Sequence, residues 1–177
     1  MSGRRLTDFE RGEAQKVFGD SIRYAKVRIH EGSPWTNLVA KVGAKINREP
    51  TPKWDNAVTL GNASHFPRIL RGNPPPAGTH SIVDLAWMIH ELTHVWQYQH
   101  TGTIYIWRAL RADLTLGIRA YEYGGEHGLR DARASGRRLA DFNPEQQGDI
   151  ARHYYTRLRD GLDTSAWEPY IEELRQA

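Results

Sequence analysis

His90-Glu91-Leu92-Thr93-His94 puts two imidazoles and a carboxylate within five residues. On a helix, side chains four apart stand one above the other, so both histidines can reach one ion. Glu91 is turned about 100° from His90 around the axis, beside such an ion rather than onto it. The chemistry this permits is hydrolysis. A zinc ion makes water acidic and polarises a carbonyl, while the neighbouring glutamate takes up the proton. Three fixed types in five positions also arise by chance, so the elements around the motif must support the reading.

Ser81 and Asp84 form a capping box that predicts a helix from about Ile82. Leu85, Ile89, Leu92 and Trp96 recur on it at positions that can bury, and Gly102 is a stop signal. Thr7 and Glu10 cap an earlier helix that runs to Phe18 and ends at Gly19. Asn143 as N-cap, Pro144 at the first helical position and Gln146 begin another, reaching about Arg159 before Gly161. Ile104 to Leu116 reads as an amphipathic helix and Ser165 to Arg175 as a short final one. In Tyr24 to His30, Ala25, Val27 and Ile29 alternate with Lys26, Arg28 and His30, the period of a half-buried strand. Asn56 to Phe66 reads as a second strand, irregular at Gly61, and Trp35 to Ile46 fits either state. The proline-rich stretches Glu49 to Trp54 and Arg71 to Gly78 read as loops, and Tyr121 to Gly128 as a loop or broken segment. The expected class is α+β, mainly α, with a small antiparallel sheet preceding the motif helix.

Composition narrows the function classes. A chain of 177 residues, 39% hydrophobic and 25% charged, fits a single domain with a real core over 1–177. No apolar run approaches the roughly 18 residues of a membrane span. The first residues start basic but lead into no apolar stretch, so no secretory signal is expected and synthesis is expected in the cytoplasm. With no cysteine, any metal must be held by His, Asp, Glu or water. The net charge of +3 and the many arginines fit a solvated surface better than a nucleic-acid site. The six tryptophans mostly sit in apolar periodic context, which favours core packing over base stacking.

A catalytic zinc normally has a third protein ligand, and three sources compete. His100 stands where an HExxHxxGxxH pattern would put its third histidine, but Gln97 replaces the glycine that lets the helix turn back. On a continuing helix His100 lies about 15 Å beyond His90, out of reach. Tyr121 to His127 offers Glu122, Glu126 and His127 beside glycines. Glu145 sits in the first turn after Pro144, with Asp149 four residues on. That is the gluzincin Glu-x-x-x-Asp spacing, in which the aspartate orients a metal histidine.

His90-Glu-Leu-Thr-His-Val-Trp-Gln97, Tyr121-x-Tyr123 and Asp141-Phe-Asn-Pro-Glu-Gln-Gln147 together resemble the zinc metallopeptidase toxin domains of bacterial type VI secretion. Such domains occur on spike proteins, with Rhs modules or alone. Val17-Phe-Gly-Asp-Ser-Ile22, Val27-Arg-Ile-His30 and Thr59-Leu-Gly-Asn62 extend the resemblance. It implies a zincin-like, gluzincin-type fold and Zn2+ held by His90, His94 and Glu145, with Glu91 as the catalytic base. It also implies a protein or peptide substrate, a secretion apparatus, delivery to a target-cell periplasm and a cognate immunity protein.

A donor to the developing oxyanion is usual in such sites. Candidates are Tyr121, Tyr123, His127, His153, Tyr154 and Tyr155, with Asp149 as the orienting carboxylate. Residues 59–66 are expected to form a rim on which an extended peptide could pair. Two other classes compete: a catalytically degenerate zinc-binding adaptor, and a zinc amidase acting on a cell-wall amide bond.

Overall fold

The computed structural model describes residues 3–46, 50, 55–71, 81–103 and 121–177. The first helix, α1 (Asp8–Phe18), starts from a complete capping box. Thr7 Oγ1 accepts from Glu10 N, and the Glu10 carboxylate accepts from Thr7 N. Its buried face carries Ala14, Val17 and Phe18.

The alternating stretch that follows splits in two. Tyr24–Lys26 is a 3-10 turn, and only Arg28–His30 is strand (β1). The sheet is completed by β2 (Val58–Leu60) and β3 (Ala63–His65), joined by a tight turn at Gly61 and Asn62. The expected irregularity at Gly61 is therefore a hairpin, and its φ of +65° is one that glycine adopts without strain. The strand order is β1-β3-β2. The β2–β3 pair is antiparallel, as expected, but β1 joins β3 in parallel, with Ile29 opposite Ser64. Parallel pairing needs a crossover, and α2 (Trp35–Ile46) lies in it.

The long helix α3 (Ser81–Thr101) starts one residue before the expected Ile82 and stops before Gly102, as expected. Asp84 is occupied by Arg68, through two hydrogen bonds of 2.9 and 2.5 Å, and by the Arg71 N–H at 2.7 Å. The Tyr121–Gly128 stretch is more ordered than its glycines suggested. They precede and open the first turn of α4 (Gly125–Ala134). Helix α5 (Pro144–Arg159) has the cap read from sequence, Asn143 Oδ1 accepting from Gln146 N at 2.9 Å. The last helix, α6 (Glu168–Arg175), begins three residues later than Ser165. The amphipathic helix expected at 104–116, and the loops at 49–54 (Pro50 apart) and 72–78, lie outside the described residues.

The core sits where α3 meets α5, with α1 and α6 alongside. Met88, Ile89, Leu92 and Val95 of α3 are buried together with Ile150, Ala151 and Tyr155 of α5, and Tyr170, Ile171 and Leu174 of α6. Each valine, leucine, isoleucine or methionine among them contributes roughly 1.5–3 kcal/mol by leaving water. That apolar contact locks α3 against α5. Of the described tryptophans, Trp167 is buried and Trp87 and Trp96 pack on the core edge, but Trp35 is exposed.

Candidate metal centre

The α3–α5 contact brings together residues far apart in sequence. His90 Nε2 lies 3.2 Å from one Glu145 oxygen, and His94 Nε2 lies 3.4 Å from the other. One ligand atom from each residue falls within a 4.8 Å cluster, and all three residues are buried. Two ligands each about 2.1 Å from a tetrahedral zinc stand about 3.4 Å apart. The two imidazoles and the carboxylate therefore fit Zn2+ with little movement.

The other ring nitrogens explain why the Nε2 atoms face inward. His90 Nδ1 is 2.9 Å from Asp149 Oδ1. A carboxylate only accepts, so Nδ1 carries the proton and Nε2 is left for a metal. His94 Nδ1 is 2.8 Å from Gln97 Oε1. The Gln97 amide cannot be reversed, because its NH2 donates to the Pro144 carbonyl at 3.0 Å and to Gln147 Oε1 at 2.8 Å. The residue that removes His100 as a ligand is thus the one that orients His94. Sequence reading did not assign Gln97 that role, although its spacing of three from His94 on a helix was a usable signal.

The electrostatics favour a cation. Burial alone would lower the His90 imidazole, but Asp149 and Glu145 outweigh it and raise it to about 10. Burial opposes charge on His94 as well, yet Glu145 raises it. Burial would push Glu145 and Asp149 upward, and the facing histidines hold both below the usual carboxylate range. Positive charge between these groups offsets the cost of burying two carboxylates.

Glu91 is buried beside the histidine face of α3, where the helix meets the sheet. Thr59 Oγ1, on β2, donates to Glu91 Oε2 at 2.7 Å and lies 2.9 Å from Ser64 Oγ on β3. One Glu91 oxygen is thereby fixed. Thr59 carried no local signal, since the contact spans 32 residues. Gly148 is equally tertiary. A Cβ there would stand 2.7 Å from His90 Cε1 and 2.8 Å from its Nδ1, so the imidazole occupies the space of a side chain.

The remaining candidates separate clearly. Tyr121 has its ring 6.2 Å from the His90 ring, roughly stacked. The Tyr123 hydroxyl is 2.6 Å from His153 Nδ1 and receives the Trp167 indole N–H at 3.1 Å. Arg152 reaches His153 Nε2 at 3.3 Å, and arginine only donates, so the His153 proton sits on Nδ1 and points to Tyr123. Burial raises Tyr123 to about 12 and lowers His153, so both are neutral at pH 7. Tyr154 is turned to Arg175, and Tyr155 donates to Glu13 at 2.6 Å, which makes both packing residues. His100 is exposed and bonds its own helix at Trp96 O. His127 is exposed beside Asp131, and Glu126 pairs with Arg130 and Arg157. The Glu122 carbonyl accepts from the Gln146 amide at 2.8 Å. The expected rim at 59–66 also narrows: β3 is the middle strand, so β2 alone is its outer part among the described residues.

No protein-family model matches the chain. It is 30% identical over 171 residues to the type VI secretion system spike protein VgrG2b of Pseudomonas aeruginosa, covering 93% of this chain. The chain spans 14% of that protein's length. It is also similar to the solved effector domain of Pseudomonas aeruginosa VgrG2b, with a TM-score of 0.53 and 26% identity over 95% of this chain and 83% of that one. His90, His94 and Glu145 with Glu91 alongside form a gluzincin-type zinc site. The enzyme class it defines is zinc metallopeptidase.

Proposed function

We propose that this chain hydrolyses peptide bonds in a protein substrate, as an antibacterial effector carried by a type VI secretion apparatus and held in check by a cognate immunity protein. The observation that carries the catalytic part is the buried His90, His94 and Glu145 cluster with Glu91 fixed next to it. Zinc bound there supplies a Lewis acid for the scissile carbonyl and makes the attacking water acidic. His90, His94 and Glu145 hold the ion. Asp149 and Gln97 keep the two Nε2 atoms turned toward it. Glu91, steadied by Thr59, removes the proton from the attacking water and returns it to the leaving amine. Tyr121, whose ring lies 6.2 Å from that of His90, and the Tyr123 hydroxyl, held by His153, serve as donors toward the developing oxyanion. Strand β2 offers an extended peptide its pairing edge. Similarity to the VgrG2b effector domain supports delivery into a target cell.

Glu91→Ala is expected to keep one zinc per chain by elemental analysis while hydrolysis of an unfolded protein falls about 10²–10⁴-fold. His94→Ala and Glu145→Ala are expected to lose both. Full zinc and activity in Glu145→Ala would remove it from the ligand set. Release of cell-wall amides with no cleavage of any protein would replace the peptidase reading.

A further inference from the structure

Helix α2 is amphipathic in the wrong sense for a helix packed on a core. Its small and polar positions face the body. Thr36 and Ala44 are buried, and Asn37 bonds Asp55 and the Asn56 N–H at 3.1 and 2.8 Å. Its large apolar side chains face outward. Trp35, Leu38, Val39 and Val42 are 39%, 61%, 51% and 50% exposed. At spacings of three and four they fall within an arc of about 100° on one side of the helix. Lys41 and Lys45 flank that stripe on its Leu38 side, both exposed, and the helix contains no acidic residue. Each of the four is more than a third exposed, although one edge of the Trp35 ring meets the His65 ring at 5.1 Å. An apolar face shown to water is costly unless something covers it.

We propose that α2 is an interfacial helix that docks the protein on a bilayer surface rich in anionic phospholipid. Trp35 and the Leu38, Val39 and Val42 side chains enter the headgroup boundary, and Lys41 and Lys45 lie on the phosphates. An apolar stripe with a tryptophan at one end and lysines along its margin is the pattern such helices use. The charge distribution decides against a second copy of the chain. Two α2 helices laid face to face would bring lysines together with no carboxylate from either helix to meet them. Four side chains also fall well short of the roughly 800 Å² per partner of a standard protein interface. An anionic surface supplies the missing negative charge. No described helix is long and apolar enough to cross a membrane, so the attachment is peripheral.

The test is co-sedimentation of the zinc-loaded full chain with vesicles of phosphatidylethanolamine and phosphatidylglycerol, against vesicles of phosphatidylcholine alone. Binding is expected on the phosphatidylglycerol vesicles, weakening as salt is added. Val42→Glu, and separately the double variant Lys41→Glu/Lys45→Glu, should each lower that binding about tenfold or more. Zinc content and cleavage of a soluble substrate should stay unchanged, which separates this outcome from misfolding and from failure of the peptidase reading. Equal binding to both vesicle types, or no binding at low salt, overturns the proposal. So does a dimer in solution that Val42→Glu converts to a monomer, because the stripe would then belong to a second copy.

Discussion

The two zinc histidines sit one turn apart on the same helix, yet they are held in different ways. His90 takes its orientation from Asp149, which belongs to α5 and lies 59 residues away in sequence. His94 takes its orientation from Gln97, three residues along its own helix. One support is a charge delivered across an interface, and the other is a neutral amide carried by α3 itself. Charge-assisted hydrogen bonds are roughly twice as strong as neutral ones, so the His90 support is stronger but depends on docking. The His94 support is weaker: its amide belongs to α3, and the start of α5 only fixes which way round that amide sits. A metal site assembled in this way gains its last ligand and its strongest orienting bond together, when α5 closes on α3.

The sharpest way to break this asymmetry is to hold α5 off His90. Gly148→Ala puts a methyl where the imidazole lies. The expected result is loss of bound zinc together with about 1–3 kcal/mol of unfolding free energy, read by elemental analysis and denaturant titration. Asp149→Ala leaves the space open and removes only the charge. Zinc affinity should fall about 10–100-fold, measured by chelator competition. Gln97→Ala should fall toward the low end of that range, and an effect larger than that of Asp149→Ala would reverse the ranking of the two supports. Thr59→Val addresses the sheet side of the site. Zinc should remain stoichiometric while kcat/KM drops by about 0.5–1.5 kcal/mol, the worth of one hydrogen bond.

The smallest expected effect lies at the start of α3. Burial raises the Asp84 carboxyl, but Arg68 and the Arg71 N–H more than offset this and hold it below its usual value. A carboxyl whose folded pKa is depressed contributes stability above its unfolded pKa of about 3.9. It loses that contribution as pH falls through the lower folded value. The stability gap between the natural chain and Asp84→Asn should therefore be open at pH 7 and close progressively below about pH 4. A gap that persists unchanged at low pH would show that Asp84 acts through shape rather than charge.

How much of this was legible in the sequence depended on how local each signal is. The caps of α1 and α5 were readable because Thr7 with Glu10, and Asn143 with Gln146, bond within a single turn. His90, Glu91 and His94 were readable because helical spacing alone sets their relation. Glu145 and Asp149 were readable as a spaced pair, although only the packing of α5 on α3 brings them to the histidines. Thr59 and Gly148 were not readable, because one acts across 32 residues and the other by lacking a side chain. The sheet was over-read. Strands of three residues are too short for alternation to distinguish β1 from the 3-10 turn at Tyr24–Lys26. Helix α2 stayed ambiguous for a different reason. Its valines and tryptophan suit a strand, and the apolar stripe that marks it as a helix is not buried in the fold.

The Gln97 amide carries one further consequence. Its two ends differ, and the structure uses both: the oxygen faces His94 while the nitrogen donates to the Pro144 carbonyl, beside the ligand Glu145. Glutamate in its place would set an anion against that carbonyl, and a hydrocarbon side chain would leave both neighbours without their bond. This one side chain therefore acts as a parity check between two segments of the polypeptide. A chain that has misplaced the start of α5 also holds His94 loosely, so an incorrectly assembled molecule is disarmed twice over.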